Sequence, residues 1–201
     1  MCLVADVEAA RGRCLPTLVE EAVGAGAGVV QLRAKTLDTK DFYELACRLA
    51  DVLRPCSVPL IINDRLDIAL ACGAQGVHLG QRDLPIRSAR DLLGRNKLIG
   101  RSVNTIEEAR AAQSEGADYL GVGPIYHTAS KQDLPDILGT AGLRLIKSAV
   151  RLPVLAVGGI TAARAGEVAA AGADGLAVIS AVMGAEDVAA ATKALLSAFH
   201  G

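Results

Sequence analysis

The residues best suited to chemistry in this chain stand where apolar runs give way to polar ones. Gln31, Arg33 and Lys35 close the run "GAGVVQLRAK" at alternate positions. A strand repeats every two residues, so these three share one face while Val30, Leu32 and Ala34 share the other. Charged groups are seldom buried without partners, so the polar face must meet something polar or anionic. Further along, Asn63 and Asp64 follow "PLII", Gln81 and Asp83 follow "GVHL", Ser102 closes "KLIGRS", and "GPIYHTASK" supplies Thr128, Ser130 and Lys131. Taken singly, Arg33 or Lys35 reads as solvated, or paired with Asp64 and Asp83. Together with Lys131 and the two carboxylates they suit a polyphosphate carried with a divalent metal, because Mg2+ commonly joins one or two protein carboxylates to substrate phosphates. No His/Cys cluster has the spacing of a zinc site.

A second anion site is suggested by "AVGGI" followed by "TAARAGEV". Two glycines at a strand end, before a helix N-terminus, let backbone N–H groups approach an anion; the plainer reading is a tight turn. Ile179 and Ser180, closing "GLAVIS", would form the adjoining wall. Two anion sites in one mouth imply two phosphorylated substrates, or one phosphorylated at both ends.

These segments must be brought together by the elements that carry them. Eight β-type runs, "CLVA", "GVVQLR", "PLII", "GVHL", "KLIGRS", "DYLGVG", "PVLAVG" and "GLAVIS", alternate with helical stretches. In "TKDFYELACRLADVLR", Phe42, Leu45, Leu49, Val52 and Leu53 recur near helical spacing, and "TIEEARAAQSEGA" reads the same way. Gly73-Ala74, Gly116-Ala117 and Gly172-Ala173 punctuate helix ends just before the next strand. Strands alternating with helices predict a parallel sheet, and eight repeats favour an α/β fold closed as a single (β/α)8 TIM barrel over an open doubly wound sheet. No GxGxxG follows the first strand, which ranks a Rossmann or flavodoxin-like sheet behind. The polar connection from Pro124 to Leu138 is longer than its neighbours, and such loops are often functional.

Composition bounds the remainder. With 201 residues and 51% apolar content, one core and one domain over residues 1–201 are expected, with no linker. A net charge of −1 and few aromatics argue against a nucleic-acid surface. The five cysteines, Cys2, Cys14, Cys47, Cys56 and Cys72, lack any CxxC and read as reduced, mostly buried core filler. Neither a signal-peptide pattern nor a bilayer-length apolar run is present, so a cytoplasmic location is expected. The expected partners are small phosphorylated molecules, with neither nucleic acid nor membrane among them, and a homo-oligomer is compatible with the sequence.

The segments "QLRAK", "IINDRLDIALACGAQGVHLGQRDL", "DYLGVGPIYHTASK", "LAVGGI" and "GLAVIS" resemble, in order and spacing over nearly the whole chain, the thiamine-phosphate synthase family. The resemblance implies a compact (β/α)8 barrel that joins 4-amino-2-methyl-5-hydroxymethylpyrimidine diphosphate to a thiazole phosphate, releasing pyrophosphate. It also implies Mg2+ on Asp64 and Asp83. Gln31, Leu32, Arg33, Ala34 and Lys35, with Asn63, Ser102 and Lys131, would hold the pyrimidine diphosphate, the polar members by their side chains, while Leu32 and Ala34 would only shape the wall. Thr128, Ala129, Ser130, Gly159, Ile179 and Ser180 would hold the thiazole phosphate. Arg33, Lys35, Ser102 and Lys131 would act in catalysis. Ala34 replaces a frequent Glu, Ser130 a frequent Thr and His127 a frequent Pro, while "KQDLPDILGTAGL" is less regular than its counterparts.

The implied chemistry is a dissociative substitution at the pyrimidine methylene, with cations stabilising the departing pyrophosphate and no protein nucleophile. Cysteines and histidines should be dispensable for that step. His78 is expected to pack or hydrogen-bond, His127 to be a solvated loop residue and His200 to be terminal and solvated. The nearest alternative is a thiazole tautomerase, which would need only one phosphate site and for which Pro124 stands where some such relatives have His. A noncatalytic phosphate-binding barrel is the third.

Overall fold

The computed structural model describes residues 1–128 and 136–201. Short runs rich in Val, Ile and Leu become the strands β1 (Cys2–Asp6), β2 (Val29–Arg33), β3 (Leu60–Asn63), β4 (Gly76–Leu79), β5 (Leu98–Val103), β6 (Tyr119–Val122), β7 (Val154–Val157) and β8 (Gly175–Val178). All neighbours are parallel in sequential order, and β8 returns to β1 through Cys2↔Ala177 and Leu3↔Val178, closing the barrel. The helices are α1 (Leu15–Gly24), α2 (Thr39–Leu53), α3 (Leu66–Ala71), α4 (Ile86–Leu93), α5 (Ile106–Glu115), α6 (Gly139–Ala149), α7 (Ala162–Ala170), α8 (Ser180–Met183) and α9 (Val188–His200). The expected (β/α)8 barrel is therefore the fold.

Local chemistry sets the helix ends. Asp38 caps α2 by accepting from the Asp41 amide, and Thr105 with Glu108 forms a reciprocal capping box on α5. α2 buries Phe42, Leu45, Ala46, Leu49 and Leu53; Val52 lies at the edge of that stripe, only half-buried. The glycines of the three Gly-Ala pairs have φ of 72°, 93° and 93° at positions 73, 116 and 172, the left-handed geometry that ends a helix.

The residue after each Gly-Ala pair makes a repeated fastening at the base of the barrel. Gln75, Asp118 and Asp174 accept, through their side chains, the amides of Leu60, Ile99 and Val154 at 2.8, 2.7 and 2.7 Å. Their own amides donate back to the carbonyls of the same three residues at 2.9, 2.8 and 2.9 Å. The even strands β4, β6 and β8 are thereby each tied to the odd strand before it.

The period-two alternation separates two apolar regions. Leu3, Ala5, Val30, Leu32, Leu60 and Ile62 belong to the large layer shared with the helices, while Cys2, Val4, Ala177 and Ile179 form a small cluster inside the barrel. The cysteines depart from expectation, since Cys2 alone is buried and Cys14 and Cys56 are exposed. Cys14 caps α1 and Cys56 ends a short 3-10 turn after α2, positions at the surface of the helical layer. All five thiols are free. Among the described residues no helix is long and apolar enough to cross a membrane.

Candidate active site

Parallel register stacks the strand ends at one mouth, a cavity of about 680 Å³. From β2 to β5 it is lined by Arg33, Lys35, Asn63, Asp64, Asp83 and Ser102; from β6 to β8, by Thr128, Gly159, Ile179 and Ser180. These charged and polar groups expected at the strand ends thus converge on one cavity. Ala129, Ser130 and Lys131 lie outside the described residues.

The "QLRAK" segment divides three ways. Arg33 and Lys35 reach the cavity. Gln31 shares their face but sits one layer deeper, 6% exposed and level with Val4 on β1. Leu32 and Ala34 point the opposite way into the apolar layer, so their side chains pack the fold rather than line the mouth.

Arg33 and Lys35 each have a carboxylate partner. Arg33 pairs with Asp6, its register neighbour at the end of β1 and only 3% exposed. The other Asp6 oxygen accepts the Ala9 amide at 2.8 Å. Reading the first strand as ending at Ala5 hid this residue, and the partner of Arg33 is neither Asp64 nor Asp83. Lys35 pairs with Asp64. Asp64 has φ of 62°, a left-handed conformation that Asp tolerates better than most residues, and its amide donates to the His78 carbonyl at 2.8 Å. Asp83 accepts the Gly80 amide at 2.6 Å. Burial, and then the adjacent Asp64 carboxylate, push the Asp83 carboxyl above its usual range. A close carboxylate pair in which one member resists ionisation is a site that a cation would relieve. No further His, Cys, Asp or Glu joins them into a group of three among the described residues. The donor set therefore fits a hard divalent cation that takes its remaining ligands from a phosphorylated molecule and water, and does not fit a closed structural zinc site.

Below Ser102 a polar chain descends into the barrel. His78, 7% exposed, contacts Ser102 Oγ through Nε2 at 2.8 Å and the Tyr119 hydroxyl through Nδ1 at 3.1 Å. That hydroxyl lies beside Gln31, and desolvation above all drives its pKa well up. The expectation that His78 hydrogen-bonds is met, but it does so inside the barrel under the mouth. Gly100 makes room for the chain: a Cβ there would lie 2.2 Å from Tyr119 Cζ and 2.5 Å from His78 Nδ1. Tyr119 was not a candidate from the sequence; the glycines flanking it within β5 and β6 were the available signal.

Gly158 and Gly159 line the cavity with φ of 100° and 63°. A Cβ on Gly159 would sit 2.4 Å from the His127 carbonyl, and one on Gly158 2.8 Å from Pro124 Cα. The pair therefore accommodates the segment leaving β6 as well as turning the chain. Asn104, also unforeseen, lines the cavity and donates from Nδ2 to the Gly123 carbonyl at 3.2 Å. His127 is exposed, as is His200.

Comparison with known proteins adds a second line of support. The sequence pattern described as thiamine monophosphate synthase matches residues 1–182. A thiamine-phosphate synthase of Chloroflexus aurantiacus is 49% identical over 193 residues, covering 96% of this chain and 89% of the relative. One from Haloarcula marismortui is 47% identical over 199 residues, covering 98% and 94%. Among solved structures, a thiamine phosphate pyrophosphorylase from Pyrococcus furiosus superposes with a TM-score of 0.89 at 40% identity, covering 99% of this chain and 95% of that one.

Proposed function

Because the chain belongs to the thiamine monophosphate synthase family, we propose that its mouth brings a pyrimidine diphosphate and a thiazole phosphate into contact and joins them. The chain is a transferase of thiamine phosphate synthesis; the placement of substrates and the order of events are our reading. What supports it most is one observation: Arg33, Lys35, Asp64 and Asp83 share a single cavity with Thr128, Gly159 and Ser180. A diphosphate and a monophosphate end fit that division.

At the diphosphate end, Asp64 and Asp83 would hold Mg2+ together with the substrate. When bound, that ion neutralises charge gathering on the departing pyrophosphate. Arg33 and Lys35 serve the same charge from the protein side, with Lys131 from the segment after β6. Ser102, fastened by His78, offers a hydroxyl at the wall where the pyrimidine would stand, and Asn63 offers an amide. Departure of pyrophosphate leaves a carbocation at the pyrimidine methylene, supported by the ring's amino group. The thiazole nitrogen then attacks it, and no protein nucleophile is needed. Holding both partners in one cavity converts a two-body encounter into a local one. At the monophosphate end, the Thr128 and Ser180 hydroxyls and the backbone around Gly159 would receive the phosphate, joined by Ser130. We expect the action to be cytoplasmic, where such phosphorylated metabolites are made.

The test is direct. The pure protein is incubated with both substrates, with and without Mg2+, and products are identified by mass. Metal-dependent thiamine phosphate and pyrophosphate are expected. Isomerised thiazole alone would favour a tautomerase, and binding without turnover would favour a sequestering barrel.

A further inference from the structure

Three side chains away from the proposed substrate contacts hold two walls of the mouth together. Arg164, on the first turn of α7, donates from Nη1 to the Gly159 carbonyl at 3.0 Å. Its guanidinium carbon also lies 4.6 Å from the centre of the Tyr126 ring, within cation–π range. The Tyr126 hydroxyl donates to Glu167 Oε2 at 2.9 Å. Arg164 and Glu167 stand three residues apart and so share one helix face, from which they grip Tyr126 by its ring and by its tip. The backbone completes the contact, with the Ile125 and Tyr126 amides donating to the Val157 and Gly158 carbonyls, each at 3.0 Å.

This arrangement compensates for a softness in the site. Gly158 and Gly159 have no side chains to fix their turn, and glycine has wide conformational freedom, so what is pressed onto the turn decides its shape. Arg164 touches both sides of that junction, the turn after β7 and the segment leaving β6. Two residues after Tyr126 comes Thr128, which lines the cavity together with Gly159. We propose that Tyr126, Arg164 and Glu167 form a latch that sets the spacing between these two walls, and that they are positioning residues for the monophosphate end of the mouth. The inference rests on the proposed role of that end in holding the thiazole phosphate. Arg164 and Glu167 are exposed, so the latch contributes little to global stability while restraining the junction locally.

The test combines kinetics with amide exchange in R164M, R164K, E167Q and Y126F. R164M should raise KM for the thiazole phosphate about three- to tenfold, the fold-change expected from losing one or two hydrogen bonds. KM for the pyrimidine diphosphate and the Tm should stay at their wild-type values. The Ile125 and Tyr126 amides should exchange faster in R164M and in E167Q. Y126F, which keeps the ring but loses the bond to Glu167, should show a smaller rise of the same kind. R164K should fall short of rescue, because an ammonium cannot serve the carbonyl and the ring face with the same geometry. Full rescue by Lys would mean that charge alone matters and would overturn the latch. So would equal rises in both KM values, or unchanged exchange at Ile125 and Tyr126. Absence of product from the wild-type protein would instead overturn the synthase reading and with it the assigned purpose, while the exchange data would still decide whether the three residues restrain the junction.

Discussion

At the scale of single residues, Arg33 and Lys35 reach the mouth already paired with carboxylates. Asp83 is held in a setting that disfavours its ionised form, first through burial and then through Asp64. Replacing it with Asn keeps an acceptor for the Gly80 amide and removes the repulsion. We expect Asp83→Asn to lower metal-dependent turnover by more than about a hundredfold while raising the Tm at pH 7. A variant that keeps near-normal turnover would remove Asp83 from the proposed metal site. Asp6 is the opposite case. It is a buried carboxylate whose loss leaves the Arg33 guanidinium, 12% exposed, without its counter-charge. Breaking one side of such a pair costs about 3 kcal/mol, so Asp6→Ala should show a clear fall in the urea midpoint. The positions of Arg33, Lys35, Asp64 and Asp83 could be read from the sequence because strand alternation and strand ends are local features. Their pairing could not, because Asp6 and Arg33 meet only through the register between β1 and β2.

At the scale of elements, the helices and strands follow directly from periodicity, capping residues and Gly-Ala punctuation. The fastening that those Gly-Ala pairs introduce does not, since the side chains of Gln75, Asp118 and Asp174 act on a strand that precedes them by a whole βα unit. Asp118 also receives Arg90 at 2.6 Å. Asp118→Ala should therefore cost about 1–2 kcal/mol in chemical unfolding, from an amide left without its acceptor and an arginine left unpaired. KM for either substrate should not move, because this end of the barrel lies opposite the mouth. Asp174 adds a pH signature. Burial raises its pKa, but the Lys147 ammonium and the Val154 amide outweigh that and leave the carboxyl below its usual range. A depressed folded-state pKa means stability that is fully present above the unfolded value, about 3.9, and lost as pH falls through the folded one. The stability gap between the wild type and Asp174→Asn should thus be constant at neutral pH and shrink only as pH falls below about 4. A gap that persists unchanged into that acid range would show that the Lys147 charge is not its source.

At the scale of the whole molecule, closure of β8 onto β1 brings strand ends far apart in sequence around one cavity. The barrel, its eight repeats and the polar character of its mouth were all present in the order of residues, because alternation, helical spacing and turn chemistry act between near neighbours along the chain. Three features were decided only once the chain had closed. The polar line from Gln31 through Tyr119 and His78 to Ser102 depends on four strands meeting inside the barrel. The glycine pair after β7 takes its tight fit from the segment leaving β6, which presses on it from another βα unit. The latch joins that segment to α7. Each is a contact between elements that no local pattern encodes, since it is inter-strand register and helix packing that select which side chains meet.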